Sequence, residues 1–474
     1  MKILPFCLTL FLPLFAAEEG TYIQFQKAEQ ETEDNQIEST YQNPLLDHVE
    51  APTKAQEITL QQRIADYFGT FVTSSPYPGV RATFEGTELM ASLSNVNKDL
   101  QILLELKESN EYMKAKHIPY PVNPRIFLSG EIEFTGFFLR DARGHAQSDL
   151  DVTDAEIDFL IVAAPWLYGF IGVEYDNSVD PALSNSRIAN SHFHASSLFI
   201  TFGDFSVAPW YGTIGQTFLP YGQYSTFAAV HEPLTRVLFR TLQRDAALGF
   251  FNNTIQFAAY VFKGDSHADS GNNINNYGVN LGVHFNIKKL DCKIAVGAIR
   301  NVADSIGMQD AFGAPSNSEK LRHVTPGINA NGNFTIGNWT FLCEYNQALR
   351  PFSPRDAAFS TNSGRTFKGA RPLAFDVEAA YAFSILKKPS SIALAYSRSY
   401  ESLGFNVPKE RITLIWATYI FRGNLLSVEF NSDKLYGSND RAAGNIVPGL
   451  PYFINPRNLG HRDYSLTLDY LLYF

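Results

Sequence analysis

The residues from Asp463 to Phe474 (D-Y-S-L-T-L-D-Y-L-L-Y-F) alternate in character. Counted back by twos from Phe474, Leu472, Tyr470, Leu468, Leu466 and Tyr464 form one apolar or aromatic face. Tyr473, Leu471, Asp469, Thr467 and Ser465 form the other, which carries the polar groups. A period of two is that of a β-strand. A two-faced strand closing on a terminal aromatic has the form of the last strand of a membrane β-barrel, although the edge strand of a soluble sandwich shares the pattern.

The same alternation recurs over 126–139, 153–163, 167–176, 193–202, 207–217, 244–251, 254–262, 276–286, 290–300, 325–336, 338–347, 373–384, 390–398, 411–421, 424–431 and 463–474, which makes sixteen segments. The gaps between them alternate in length. They are long at 140–152, 177–192, 218–243, 263–275, 301–324, 348–372, 399–410 and 432–462, and short in between, as at Asn252-Asn253 and Gly337. Antiparallel strands crossing a bilayer put every second connection on one side, and bacterial barrels keep periplasmic turns short and extracellular loops long. A soluble sandwich has no reason to sort its loops this way. The expected fold is therefore all-β, a 16-stranded antiparallel transmembrane β-barrel over 126–474.

Alternation also assigns faces. In 153–163, Ala155, Ile157, Phe159 and Ile161 point one way and Asp154, Glu156 and Asp158 the other. Carboxylates are costly against hydrocarbon, so the acidic face belongs to the lumen. The same parity places Glu131, Glu133, Glu174 and Asp176 inside. Later strands add Glu344, Asp376, Glu378, Glu429 and Asp469, with Lys293 and His284 as exceptions in a mainly acidic wall.

The gap 218–243 is aromatic and lightly polar (F-L-P-Y-G-Q-Y-S-T-F-A-A-V) and ends with Arg236 and Arg240, four residues apart, with Arg244 next at the same interval. On a helix the three share a face. The expectation is a loop folded into the lumen that sets these arginines against the acidic wall, giving a transverse field that orients dipolar solutes and sorts ions. A surface loop, or an extra strand over 234–241, is the plainer alternative.

Upstream, Lys2 followed by apolar Ile3–Phe15 and Ala16-Ala17 reads as a signal peptide over 1–17. Residues 18–85 form an acidic, largely irregular leader, including a turn or loop across Phe71–Gly79. A helix is expected over 86–117, with Leu89, Leu93, Val96, Leu100 and Leu103 spaced as a seam of two heptads. That seam suits a short coiled coil or an amphipathic helix packed on its own neighbour, and both readings stay open. A Pro-rich linker over 118–125 follows, and the helical extension is expected in the periplasm.

Composition narrows the classes further. Aromatics are 14% and charged residues only 18%, yet no run of about 18 apolar residues provides a membrane helix. The net charge of −10 argues against a nucleic-acid partner. Cys292 and Cys343 make no disulfide framework and no metal pair. His192 and His194 share a strand face, but no third ligand follows at a suggestive spacing. No nucleophile elbow or triad spacing is present, so no enzyme, cofactor or metal is expected.

Five short stretches carry a resemblance to a known family. They are T-S-S-P-Y-P-G (Thr73 to Gly79) with E-L-M-A-S-L-S-N-V-N-K-D-L (Glu88 to Leu100), R-I-F-L-S-G-E-I-E (Arg125 to Glu133), and T-D-A-E-I-D-F with G-F-I-G-V-E-Y-D (Thr153 to Phe159, Gly169 to Asp176). These resemble the LbtU-family siderophore porins, in which a short helical periplasmic segment precedes a sixteen-stranded barrel. The resemblance implies passage of a ferric siderophore across the outer membrane, with outer-membrane lipid around the barrel and, by analogy of architecture, a homotrimer. Energised receptors surround a plugged lumen with 22 strands. The leader here offers no comparable plug, so facilitated diffusion or gating by the leader is expected. A less selective porin for small ions or nutrients is the alternative.

Overall fold

Each alternating segment forms a strand. The computed structural model describes residues 70–73, 96–115, 117, 124–141, 144–176, 192–265, 273–312, 321–420, 424–445 and 460–473, all within the unit Ile64–Phe474. The signal peptide, most of the acidic leader, Leu89, Leu93 and Phe474 lie outside the described residues.

The barrel strands are β1 (Arg125–Arg140), β2 (Ala146–Ala164), β3 (Leu167–Asp176), β4 (His192–Gly203), β5 (Trp210–Phe218), β6 (Leu242–Phe251), β7 (Ile255–Phe262) and β8 (Asn276–Ile287). They continue with β9 (Leu290–Ile299), β10 (Gly327–Ile336), β11 (Trp339–Ala348), β12 (Leu373–Ile385), β13 (Lys388–Tyr400), β14 (Glu410–Tyr419), β15 (Asn424–Lys434) and β16 (Arg462–Tyr473). Consecutive strands pair antiparallel, and β16 pairs with β1 from Glu131↔Tyr473 to Arg140↔Tyr464, which closes the cylinder.

Two features differ from expectation. The first long gap, 140–152, is largely strand: β2 begins at Ala146, leaving only 141–145 as the connection. A β-bulge explains why, because Glu133 pairs with Asp154 but Phe134 with Val152. Thr153 is the extra residue, so Asp151 and Asp154 share the lumen face and the period of two is interrupted there. The turn or loop expected across Phe71–Gly79 also begins as strand. Thr70–Thr73 pairs in parallel with Arg125–Leu128, the part of β1 that lies beyond the last partner in β16. It covers an edge that would otherwise leave ladder groups unpaired. The remaining connections keep the short and long sorting, with turns such as 165–166 and 288–289 at one end and loops such as 219–241 and 349–372 at the other.

The outer surface is an apolar belt. Leu198, Ile200 and Phe202 on β4, Val279, Leu281 and Val283 on β8, and Leu466, Leu468 and Leu472 on β16 are all exposed. Trp166, Trp210 and Trp339 stand exposed at the short-turn end, each beside another ring. An apolar band with an aromatic girdle is the exterior of a membrane-spanning barrel.

The long-loop end packs its own core. Helix α3 (Ile306–Phe312) brings Phe312 onto Phe352 and Phe405, and strands Ala358–Ser360, Lys368–Gly369 and Arg441–Ala443 form a small sheet beside them. Tyr436 lies in this cap, bonded to Ser399 Oγ at 2.8 Å, and burial pushes its phenol up to about 12.

Candidate functional site

The lumen wall follows from strand parity. Glu131, Glu133, Glu156, Asp158 and Asp469 are all buried inside the barrel, while Asp154 and Glu174 are half-buried. The side chain of Asp176 lies outside the described residues. Ladder register puts Glu131 opposite Glu156, Glu133 opposite Asp154, and Glu156 opposite Glu174. Like charges directly opposed destabilise a sheet, so this patch needs donors and cations. Thr153 Oγ1 donates to Glu133 Oε2 at 2.6 Å, Thr135 Oγ1 to Asp469 Oδ1 at 2.8 Å and Ser196 Oγ to Glu156 Oε1 at 3.1 Å.

The other half of the acidic wall is occupied by the loop 219–241. The backbone N–H groups of Gln223 and Tyr224 donate to Glu344 on β11, at 3.1 and 2.6 Å. Phe227 N–H and Thr226 Oγ1 both donate to Glu378 on β12 at 2.9 Å. Ala229, Val230 and His231 donate their N–H groups to Glu429 on β15. The loop therefore crosses the barrel as a strap pinned at successive carboxylates. Each pin satisfies a buried acid and a buried backbone donor together. Gly222 permits the first one: its φ is +94°, and a Cβ there would lie 2.6 Å from Glu344 Oε1. Arg411 holds the far end, donating to the Glu232 carbonyl at 2.7 Å while gripping Asp433 with two bonds of 2.8 Å.

The arginines do not form one helical face. Helix α2 spans only Leu234–Phe239, so Arg236 is helical, Arg240 caps the helix in extended conformation and Arg244 belongs to β6. Arg236 is buried and pairs with Glu232 at 3.1 Å. Its Nε and Nη1 have no hydrogen-bond partner among the described residues, and Glu174 and Asp154 are near enough for their charges to act on it. Arg240 lies 4.5 Å over the ring of Phe218. Arg244 is exposed on the outer side of β6, whereas its neighbours Gln243 and Asp245 are buried inside. The placement of Arg244 in a constriction is thus corrected: once the strand begins, parity overrides the spacing of four. The sequence reading also missed that backbone amides, rather than guanidinium groups, are the chief partners of Glu344, Glu378 and Glu429. The low polarity of the strap was the available signal, because a loop with few side-chain donors must bond through its backbone.

The helix forms, but it is not a free-standing periplasmic extension. Helix α1 (Lys98–Ala115) has its first turns inside the barrel. Leu100, Ile102 and Leu103 pack with Leu160 and Val162 of β2, Tyr168 and Phe170 of β3, Phe199 of β4 and Tyr211 of β5. Asp99 accepts a hydrogen bond from Thr213 Oγ1 at 2.6 Å, and its carbonyl accepts one from Tyr168. Lys98 Nζ lies 3.4 Å from Asp158 and 3.6 Å from Glu156. Burial pulls its ammonium down, but those two carboxylates outweigh that effect and hold its pKa above the ordinary value. The described part of the heptad seam, Val96, Leu100 and Leu103, is consumed by packing within the barrel, Val96 against the cluster that contains Phe218 and Tyr221. The amphipathic alternative accounts for those residues.

No family model matches the chain. The chain is similar to a UPF0422 protein of Coxiella burnetii, at 29% identity over 427 residues covering 89% of this chain and 88% of that protein. A UPF0422 protein of Legionella pneumophila (strain Paris) is likewise 29% identical over 405 residues, covering 82% of this chain and 74% of that one. Among solved structures, the outer membrane channel DcaP of Acinetobacter baumannii aligns over 74% of this chain and 97% of its own, with a TM-score of 0.48 and 12% identity. An anion-selective porin from Comamonas acidovorans aligns over 74% of this chain and all 100% of its own, with a TM-score of 0.48 and 10% identity. The closed barrel described above stands on its own register rather than on these likenesses.

Proposed function

We propose that this chain is an outer-membrane porin whose lumen passes a ferric siderophore, with the strap 219–241 narrowing the path and no energised plug domain. The observation that carries the channel reading is the strap itself. It is pinned across the lumen at Glu344, Glu378 and Glu429, opposite an acidic patch built by β1 to β3. Pinned in this way, the strap restricts the bore and leaves Asp154 and Glu174 within reach of the charge of Arg236, while Glu156 and Asp158 face Lys98 within the acidic wall that also holds Glu131 and Glu133. Such a lumen favours cations and discriminates by size and dipole. The solute assignment rests on the family resemblance of Thr73 to Gly79 and Glu88 to Leu100 together with stretches of the first three barrel strands. The short-turn end is periplasmic, because short turns face the periplasm in bacterial barrels. The strand Thr70–Thr73 pairs with the start of β1 at that end, which supports a leader on the periplasmic side. A homotrimer in outer-membrane lipid suits the architecture.

Two measurements together test the reading. Proteoliposomes should swell in small solutes with a sharp size limit, and a deletion strain should lose uptake of radiolabelled ferric siderophore. Swelling with unaltered iron uptake would favour the less selective porin for small ions or nutrients. No swelling and no conductance would remove the channel reading altogether.

A further inference from the structure

We propose that Asp158, Glu156 and the ring of Phe170 form a binding site for a primary alkylammonium cation, and that the chain's own Lys98 occupies it. The ammonium of Lys98 lies 3.4 Å from Asp158 Oδ2, 3.6 Å from Glu156 Oε1 and 4.3 Å from the centroid of Phe170. Two carboxylates and an aromatic face are the chemistry that recognises an alkylammonium ligand, whatever chain carries it.

The receptor half belongs to the barrel and the occupant to a separate element. Asp158 and Glu156 stand on β2, and Phe170 on β3, where Gly172 pairs with Asp158. Gly172 shapes the site. A Cβ there would lie 2.8 Å from Glu156 Oε1 and 3.0 Å from Asp158 Oδ1, so a larger residue would push the carboxylates from the positions they take over the glycine. The site also has acceptors to spare. Asp158 Oδ1 and Glu131 Oε2 are buried without a hydrogen-bond partner among the described residues, in side chains only 1% and 3% exposed. The charge of Glu131 reaches Lys98 as well. One lysine therefore leaves part of this acidic pocket unanswered.

Lys98 begins α1, so the contact that fills the pocket also fastens the helix to the wall. Tethered to its own receptor, the ammonium acts at high effective concentration and outcompetes free cations. A consequence that rests on the channel reading follows. A solute bearing a primary ammonium competes with Lys98 for these carboxylates and, at sufficient concentration, removes one of the contacts that hold the first turn of α1, beside the packing of Leu100, Ile102 and Leu103.

Butylamine is the probe, because it reproduces the lysine side chain from Cβ outward. Calorimetric titration at pH 7 would compare the full detergent-solubilised chain, Lys98→Ala, and Lys98→Ala with Asp158→Asn. Heat-modifiable migration on gels would confirm that each barrel is closed. Lys98→Ala should bind butylamine at least about tenfold more tightly than the unaltered chain, and the added Asp158→Asn should abolish that gain. Lys98→Ser, which also vacates the space, is the second variant and carries the same expectation. Closed barrels of Lys98→Ala or Lys98→Ser that bind no better than the unaltered chain, or a double variant that binds as well as the single one, would overturn the proposal. Planar-bilayer recordings separate the two readings. Amine binding in a barrel that never conducts supports the site and defeats only the channel, whereas conductance without amine binding defeats only the site.

Discussion

His231 and Glu429 are joined twice through one oxygen: the His231 N–H donates to Glu429 Oε2 at 2.9 Å, and the ring Nδ1 lies 2.8 Å from the same atom. The other ring nitrogen meets Ser465 Oγ of β16 at 2.9 Å. This is where the strap ends its crossing, and its strength governs how firmly the bore is held.

Glu429→Ala should therefore loosen the strap without opening the barrel. It strands the N–H groups of Ala229, Val230 and His231, and an unsatisfied buried donor costs about 1–3 kcal/mol. Liposome swelling should then admit larger solutes, while heat-modifiable migration stays unchanged. Glu429→Gln, which keeps one acceptor oxygen, should fall between. An unchanged size limit in both variants would show that the strap does not set the bore.

Arg236 and Arg244 should separate sharply. Arg236→Gln removes a buried guanidinium facing Asp154 and Glu174, so reversal potentials in a salt gradient should shift toward stronger cation preference. Arg244→Gln alters an exposed outer residue and should leave the reversal potential where it was. Equal shifts would contradict the assignment of Arg244 to the outer face.

Two glycines with positive φ make a matched pair. Gly222→Ala combines strain at φ +94° with a Cβ 2.5 Å from Tyr224 Cζ, whereas Gly337 has φ +56° and nothing within 4 Å of a Cβ. Strain alone costs about 1–2 kcal/mol in the left-handed region. Gly337→Ala should show that loss in urea unfolding, and Gly222→Ala should lose more and also change the conductance, because it displaces the first pin of the strap. Equal losses with unchanged conductance would argue against the close approach at Glu344.

The lipid belt is testable at one position. Leu394 on β13 is 54% exposed, and its neighbours Ala393 and Ala395 are buried inside. Leu394→Arg should cost about 2–4 kcal/mol if the site lies near the midplane of the bilayer. Reversible unfolding from lipid vesicles would measure it; a cost near zero would place this face in water.

Much of the fold was legible because the barrel signal is local and repetitive. Alternation at Leu466, Leu468 and Leu472 says which face is greasy without reference to any other strand. The Thr153 bulge was not legible, since one inserted residue turns Asp151 and Asp154 to the same side and looks like a strand end. The short strand Thr70–Thr73 was hidden for a different reason: it exists because β1 runs past the end of β16, a fact of register rather than of its own four residues.

The sequence by itself determined the number of strands, the sorting of turns from loops, and the carboxylate side of the wall, because each depends only on a period of two and on the cost of charge in hydrocarbon. What answers those carboxylates was decided by tertiary structure alone. Glu429 finds its donors 198 to 200 residues away along the chain, and Asp158 finds Lys98 at a separation of 60. A buried acid demands a partner, but the demand does not name one. Closing the cylinder brought a lightly polar loop and the start of a helix within bonding distance, and that closure set which acids are pinned and which keep an unanswered oxygen.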